Sequence, residues 1–285
     1  MRPTAALFLL LLTPALRAQS VDHDLIYMKS GGAAFTMDEF RPAKPNGVAV
    51  IYLVSGGWSS DHAGINPGVA LAFNSQGITV FEVVHGAQPR YKIPEIEQQV
   101  ARSIRFIRSN AAQFGVEPNK IGIFGASSGG HLSLMSGVIG DHGNPDANDP
   151  VDRASSKPNA IVAWMPPTDM INFGSPGRMP FKEQKYLIFQ GAFPVKPDAT
   201  LEEMMPIAKA LSPIYGITPS FPPTLLMHGD KDDLVPVEQS QKLDAVFAEK
   251  GVEHKLIIIP GAGHGPAGFV ERFADVAAWF MTKMK

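Results

Sequence analysis

A serine stands at the centre of the pentapeptide Gly125-Ala126-Ser127-Ser128-Gly129. The apolar run Lys120 to Phe124 before it predicts a strand, and the run His131 to Ile139 after it predicts a helix. A strand that turns at once into a helix strains the backbone of its central residue, and glycines on either side allow the two elements to approach closely. We therefore predict that Ser127 projects above a sheet and acts as a nucleophile.

A serine hydroxyl needs a base to remove its proton, and the base needs an acid to hold its tautomer. The run Pro223 to Met227 predicts a strand, and the polar turn His228 to Pro236 follows it. That turn carries three aspartates, Asp230, Asp232 and Asp233. A later strand, Lys255 to Ile259, leads to His264, which lies between two glycines. His264 is the predicted base, and the acid is expected among the three aspartates.

These motifs resemble those of the α/β-hydrolases, in particular the acetyl esterase and feruloyl esterase-like branch related to prolyl oligopeptidase-type catalytic domains. Three segments carry the resemblance, Gly125 to His131, His228 to Pro236 and Gly263-His264-Gly265. The likeness extends from about Val48 to Phe280. It implies that the acid is the fifth residue of the second motif, Asp232, with Asp230 and Asp233 as alternatives.

The resemblance also implies an oxyanion hole made of backbone amides. The predicted strand Val48 to Val54 ends in Ser55-Gly56-Gly57-Trp58, where the family more often has His-Gly-Gly-Gly and an aromatic residue. This departure leaves the donor from the loop open, because backbone donors do not require a particular side chain. The predicted donors are the amides of Gly56, Gly57 and Ser128. Trp58 is expected either to line the acyl pocket or to pack in the core.

Strands alternate with amphipathic helices along most of the chain, which favours a mostly parallel central sheet flanked by helices. This is the α/β-hydrolase fold that the resemblance implies. Further strands are predicted at Ile78 to Val84 and Ile161 to Trp164, and helices at Glu95 to Phe114, Val237 to Lys250 and Phe269 to Met281.

The alternation lapses between Asp169 and Leu211, in a segment rich in methionine, aromatic residues and proline. In α/β-hydrolases an insertion at this place commonly forms a cap over the serine. We therefore predict a cap insertion at about 169–211, whose apolar side chains either mould around the substrate or pack the cap onto the body.

The first residues have the features of an export signal. Arg2 precedes the apolar stretch Ala5 to Leu12, and small residues follow up to Ala18. The stretch is too short to anchor the chain in a bilayer. We predict a signal peptide over residues 1–18, cleavage after Ala18, a hydrolase domain over 19–285, and an exported (periplasmic or secreted) enzyme.

The net charge and the cysteine content limit the classes of partner that the chain can bind. The chain has 285 residues, a formal net charge of −2 and no cysteine. It therefore lacks the basic charge that nucleic-acid or anionic-membrane binding needs, and it cannot form a disulfide. Eight histidines are scattered without metal-ligand spacing, so neither a metal nor another cofactor is expected. His62, His131 and His228 are interpreted as structural. The acidic segment Asp141 to Pro158 reads as a solvated loop, with ion binding as the alternative.

The predicted function is hydrolysis of a carboxylic ester through an acyl-enzyme, with Ser127, His264 and Asp232 as the triad. The resemblance and the expected export suggest acetyl or feruloyl esters of carbohydrates as substrates. Three alternatives stay open: a peptidase of the prolyl oligopeptidase type, an esterase for small-molecule or lipid esters, and a catalytically silent binding module. The chain carries no large N-terminal propeller of the kind that accompanies the oligopeptidases, which favours esters.

Overall fold

A computed structural model describes residues 20–265 and 267–285 of the chain. The predicted signal peptide, residues 1–18, lies outside the described residues. Within the described part the strands are β1 Ser20–Ser30, β2 Ala33–Arg41, β3 Ala49–Val54, β4 Thr79–Val84, β5 Ile121–Ala126, β6 Ala160–Trp164, β7 Thr224–Gly229 and β8 His254–Ile259. The α-helices are α1 Pro67–Asn74, α2 Ile93–Ser109, α3 Ala111–Phe114, α4 Ser128–Ile139, α5 Leu201–Ala210, α6 Glu238–Lys250 and α7 Phe273–Lys283.

The strands form one sheet in the order β1-β2-β4-β3-β5-β6-β7-β8. From β4 to β8 every neighbouring pair is parallel, and only the pairs made by β2 are antiparallel. The predicted α/β-hydrolase fold, a mostly parallel sheet flanked by helices, is confirmed. Because β3, β5, β7 and β8 run in the same direction, the loops that follow them meet at one edge of the sheet.

Both faces of the sheet are covered. Alternate residues of β3 point to opposite faces, so Ile51 packs in the cluster that contains α2, α4 and α6, whereas Val50 packs in the cluster that contains α1 and α7. Burial on both faces explains why the central strands are mostly apolar rather than alternating, with Glu82 and His228 among the few buried polar residues. This two-sided core makes the sheet a rigid platform for the loops at its edge.

The sequence analysis missed two strands and misplaced two helix boundaries. The hairpin β1–β2 was not predicted. The helix predicted over Glu95 to Phe114 is interrupted at Asn110, whose side-chain amide donates to the Phe106 carbonyl (2.8 Å) and competes with the helical hydrogen bonds. The last helix begins at Phe273, after a 3₁₀ turn, and not at Phe269.

The segment between β6 and β7 contains the predicted cap region. It consists of 3₁₀ turns at Pro180–Lys182, Gln184–Ala192 and Pro213–Gly216, together with α5. Helix α5 begins with a capping box, in which Thr200 and Glu203 bond each other's backbone amides. Irregular turns rather than long helices therefore cover this part of the sheet edge.

The acidic loop after α4 is tied to α2 by ion pairs. Arg102 pairs with Asp149 and Asp152, and Arg105 pairs with Asp141. Within residues 20–265 and 267–285, no group of three or more His, Cys, Asp or Glu side chains is arranged to hold a metal ion. In the same part of the chain, every helix is too short or too polar to cross a membrane.

Candidate active site

Ser127 lies in the tight turn between β5 and α4. Its backbone has φ 54° and ψ −119°, a strained conformation for a residue with a side chain. The turn requires glycine at 125, because a Cβ there would lie 2.4 Å from the backbone of Gly129. The Ser127 amide donates to the Trp164 carbonyl (2.8 Å), and the residue is half-buried. The turn thus presents the hydroxyl at the edge of the sheet, as predicted.

His264, in the loop after β8, lies between Ser127 and Asp232. Its Nε2 is 3.0 Å from Ser127 Oγ, and its Nδ1 is 2.8 Å from Asp232 Oδ2. The imidazole side chain is 14% exposed, whereas the carboxylate is fully buried. The structure therefore brings together three predicted residues that span 137 positions along the chain.

The second oxygen of Asp232 is held by its own loop. Oδ1 accepts from the amides of Leu234 (3.0 Å) and Val235 (2.8 Å), and His228 Nε2 lies 3.3 Å from Oδ2. Burial alone would raise the pKa of Asp232, but the hydrogen bonds with His228, His264 and Val235 outweigh it and hold the pKa well below its usual range. The ionised carboxylate only accepts, so His264 donates through Nδ1 and leaves Nε2 to accept the Ser127 proton.

The two alternative acids are engaged elsewhere. Asp230 is exposed, and its Oδ1 accepts from the Gly261 amide at 2.7 Å. Asp233 is also exposed, and its backbone carbonyl accepts from Lys185 Nζ. Of the aspartates in this turn, Asp232 alone has its carboxylate within hydrogen-bond distance of His264.

The loop after β3 contains Gly56 and Gly57, whose amides were predicted as oxyanion donors. The Gly56 amide donates to the Ser59 carbonyl (3.0 Å), in a reciprocal pair of hydrogen bonds, and Gly56 faces a separate cavity. Gly57, Trp58 and Ser127 instead line one common cavity. The Ser55 hydroxyl, 3.0 Å from the Ser128 hydroxyl, joins this loop to the start of α4. The Gly56 amide, one of the three predicted donors, is therefore already bonded within its own loop, whereas Trp58, which was not predicted as a donor, lines the cavity with Gly57 and Ser127.

Gln88, which was not predicted to belong to the site, fixes this loop through hydrogen bonds to its carbonyls. Its backbone amide donates to the Trp58 carbonyl (3.1 Å), and its side-chain amide donates to the carbonyls of Gly57 (3.4 Å) and Ile188 (2.9 Å). The Gly57 carbonyl and the Trp58 amide belong to one trans peptide unit and point in opposite directions. Gln88 thereby turns the Trp58 N–H away from itself.

Trp58 both lines the cavity and packs in the core. Its φ of 58° is unusual for a residue with a side chain. The indole N–H donates to His131 Nδ1 (3.2 Å), and the His131 Nε2–H donates to the Leu211 carbonyl (2.8 Å). Burial lowers the pKa of His131 to about 4, so this histidine is neutral and structural, as expected. The indole also packs edge-on against Phe193, with ring centroids 5.3 Å apart.

Apolar side chains enclose a cavity beside the Ser127 hydroxyl. Its volume is about 30 Å³. The segment between β6 and β7 contributes most of the wall, through Met170, Phe173, Phe181, Tyr186, Phe189 and Phe193. Several of these residues are also buried against the body, so lining and packing use the same aromatic side chains. The arrangement suits a small apolar group attached to the atom that Ser127 attacks.

The other two histidines interpreted as structural have local partners. His228 is buried, with Nδ1 2.7 Å from Ser240 Oγ and Nε2 2.9 Å from the Val235 carbonyl. His62 lies on an exposed turn, and its Nε2 is 2.7 Å from Thr36 Oγ1. His228 nevertheless has a part in the site, because it also approaches the Asp232 carboxylate.

This geometry can be compared with known proteins. A family model described as BD-FAE matches residues 37–247. The chain belongs to the BD-FAE family. The matched residues include Ser127 and Asp232 and stop before His264. The predicted resemblance to acetyl and feruloyl esterase-like α/β-hydrolases is thereby confirmed.

Several curated relatives of this BD-FAE chain are named as esterases. Esterase LipC of Mycobacterium tuberculosis is 26% identical over 258 residues, which cover 88% of this chain and 62% of LipC. The acetylxylan esterase of Xylanibacter ruminicola is 31% identical over 135 residues, 45% of this chain and 26% of that protein. The chain thus spans less than two thirds of the length of these relatives. The solved structure of a truncated carbohydrate esterase from gut microbiota has a TM-score of 0.78 and 26% identity, covering 95% of this chain and 99% of that one.

Proposed function

We propose that this BD-FAE chain is a serine carboxylic ester hydrolase that acts through an acyl-enzyme. The observation that carries the proposal is the unbroken hydrogen-bonded series Asp232–His264–Ser127 beside the apolar cavity. A buried acceptor, an oriented imidazole and an accessible hydroxyl are the parts that nucleophilic acyl transfer requires.

In the proposed mechanism His264 Nε2 takes the proton of Ser127 as Oγ attacks the ester carbonyl carbon. The buried charge of Asp232 stabilises the imidazolium that forms. His264 then gives the proton to the departing alcohol, and the acyl group stays on Ser127. Water then repeats the sequence: His264 removes a proton from water as the water oxygen attacks the acyl carbon. The acyl–oxygen bond to Ser127 breaks, His264 returns the proton to Ser127 Oγ, and the acid is released.

Backbone amides stabilise the negative oxygen of the intermediate. The proposed donors are Ser128, at the start of α4, together with Gly57 and Trp58. The amides of Gly57 and Trp58 have no acceptor within the described structure. A preorganised donor of this kind is typically worth about 3 to 4 kcal/mol of the barrier.

The cavity favours acetyl over feruloyl esters. A cavity of about 30 Å³ suits a small acyl group. A feruloyl group also carries a hydroxyl and a methoxy oxygen, whereas the cavity wall is apolar and the Tyr186 hydroxyl is bonded to the Leu234 carbonyl. A feruloyl ester would therefore leave polar groups unpaired. The acetylxylan esterase and carbohydrate esterase among the similar proteins support acetylated carbohydrate as the substrate class.

Hydrolysis of p-nitrophenyl acetate and acetylated xylan by the purified protein tests the proposal. Ser127→Ala and His264→Ala are expected to lower kcat by several orders of magnitude while both variants still fold. A fluorophosphonate probe should label the wild type and not Ser127→Ala. Cleavage of short prolyl peptides without ester turnover would favour the peptidase, and failure of the probe to label the wild type would favour the silent binding module.

We also propose that the protein is exported and that its leader is removed after Ala18. The support is the sequence pattern of residues 1–18. Sequencing the amino terminus of protein recovered from the periplasm or the culture medium tests this, and a start at Gln19 is expected.

A further inference from the structure

One turn of the segment between β6 and β7 contacts the loop that carries Asp232. We name residues 184–192, the 3₁₀ segment Gln184–Ala192, the bridge segment. The Tyr186 hydroxyl donates to the Leu234 carbonyl (2.9 Å), and Lys185 Nζ donates to the Asp233 carbonyl. Both contacts join residues 48 positions apart, and neither has a part in the chemical steps proposed above.

Each of these carbonyls belongs to a peptide unit whose N–H group donates to the Asp232 carboxylate. The Asp233 carbonyl shares its unit with the Leu234 N–H, and the Leu234 carbonyl shares its unit with the Val235 N–H. These two N–H groups donate to Asp232 Oδ1, at 3.0 and 2.8 Å. A planar trans unit has its C=O and N–H on opposite sides, so a donor that holds the oxygen also sets the direction of the N–H.

The same contacts strengthen the two N–H donors electronically. A hydrogen bond to a carbonyl oxygen polarises its peptide unit and makes the attached N–H a better donor. Lys185 brings a positive charge to one unit. Burial raises the pKa of Tyr186, so its phenol stays protonated and donates to the other unit.

Four charged or titratable side chains lie near the loop that carries Asp232 or near Tyr186. His228 and His264 face Asp232 directly. Arg178 and Lys185 lie 5.9 and 5.6 Å from the centre of the Tyr186 ring, and Arg178 is paired with Glu183. Among the described residues, the side chains that donate to the carbonyls of Asp233 and Leu234 both belong to the bridge segment.

We propose that Lys185 and Tyr186 are positioning residues for Asp232, acting through the peptide units 233–234 and 234–235. By holding the two N–H donors on Oδ1, they keep Oδ2 directed at His264 Nδ1. The segment between β6 and β7 then both lines the acyl cavity and positions Asp232. This inference rests on the proposed function of Asp232 as the acid of the triad.

Proton NMR of the substrate-free protein tests the positioning directly. The proton between His264 Nδ1 and Asp232 Oδ2 should give a low-field resonance, identified by its loss in Asp232→Asn. In Tyr186→Phe and in Lys185→Gln this resonance should move upfield or broaden, because the carboxylate is less firmly aligned. The matched control is Tyr215→Phe, which removes a hydroxyl bonded to Asp169 Oδ1 (3.0 Å) away from the acid loop, and it should leave the resonance unchanged.

Kinetics supply the second measurement. Because Phe keeps the aromatic ring in the cavity wall, Tyr186→Phe should lower kcat for p-nitrophenyl acetate about threefold to tenfold, the usual effect of one lost hydrogen bond, with KM unchanged. Lys185→Gln should lower kcat in the same way, and its exposed position protects the fold. Thermal unfolding of each variant separates these effects from loss of structure.

Two results would overturn the inference: a low-field resonance in both folded variants that is identical to that of the wild type, or a rise in KM with kcat unchanged. The NMR measurement needs no substrate, so it remains decisive if the protein hydrolyses no ester. A shifted resonance in a protein without esterase activity would refute the proposed function and leave the positioning intact.

Discussion

At the level of single residues, the surroundings of each aspartate decide which of the three we propose as the acid of the site. Asp232 is buried and hydrogen-bonded at both oxygens, whereas Asp230 and Asp233 are exposed. Its pKa is held well below the usual range, so the carboxylate stays ionised through the neutral and mildly acidic range. The stability that the folded protein gains from this ionised carboxylate is complete above the unfolded-state pKa of an aspartate, about 4. It is lost as the pH falls from there toward the folded-state pKa.

Replacing this carboxylate tests its role. We expect Asp232→Asn to lower kcat by about 10⁴, because an amide that donates to His264 Nδ1 favours the wrong tautomer. The control is Asp230→Asn, which should retain most of the wild-type kcat. Steady-state kinetics with p-nitrophenyl acetate measure both. If Asp230→Asn or Asp233→Asn were instead the crippling change, the assignment of the acid would be wrong.

At the level of elements, the loop after β3 depends on a neighbouring segment for its orientation. We expect Gln88→Glu to lower kcat about tenfold to a hundredfold, because a carboxylate cannot donate to the carbonyls of Gly57 and Ile188. KM should change little, since the cavity wall is intact. Gln184→Glu, an exposed change in the bridge segment, is the control. An unaltered kcat in Gln88→Glu would argue against Trp58 as an oxyanion donor.

Helix α2 carries a buried acid that makes stability depend on pH. Burial raises the pKa of Glu97 to about 8, and its Oε1 has no hydrogen-bond partner in the structure. The folded state therefore retains a proton that the unfolded state loses, and stability falls as the pH rises from the unfolded-state pKa toward 8. Denaturant unfolding should find Glu97→Gln similar to wild type near pH 4 and about 5 kcal/mol more stable near pH 9.

The control for this comparison is Glu271→Gln, an exposed substitution of the same chemistry. It should track the wild type at both pH values. A stability difference between Glu97→Gln and wild type that is the same near pH 4 and pH 9 would show that the carboxyl group does not titrate between them.

At the level of the whole molecule, the cavity exists only where the segment between β6 and β7 meets the edge of the sheet. Phe181 is 2% exposed, lines the cavity and lies 5.0 Å from Phe193, ring centre to ring centre. The wild type is expected to prefer p-nitrophenyl acetate to the hexanoate. Phe181→Ala should shift this preference toward the hexanoate and cost about 3 to 5 kcal/mol of stability.

The control is Leu201→Ala on α5, because this side chain is 55% exposed. It should leave both the stability and the acyl preference unchanged. Ratios of kcat/KM for acetate, butyrate and hexanoate esters measure the preference. A wild type that hydrolyses the hexanoate as efficiently as the acetate would contradict the assignment of this cavity to the acyl group.

Local sequence determined the parallel core of the fold and the elements that carry the triad. Apolar runs of strand length predicted β3 to β8 to within about two residues, because strands buried on both faces are mostly apolar. Strand β1 was not predicted because most of it is exposed, so it lacks an apolar pattern. Strand β2 was not predicted because the buried polar residues Thr36, Asp38 and Glu39 interrupt its apolar residues. The break at Asn110 depends on one side-chain hydrogen bond that helical periodicity does not reveal.

The sequence by itself predicted Ser127 as the nucleophile, His264 as the base and three possible acids, since glycine-flanked turns after apolar strands have recognisable residue types. Only the tertiary structure distinguished Asp232 from its neighbours, exchanged Gly56 for Trp58, and revealed Gln88, Lys185 and Tyr186. The physical reason is that these choices depend on which backbone carbonyls and amides face one another across separate loops. Residue types along the chain do not encode those directions.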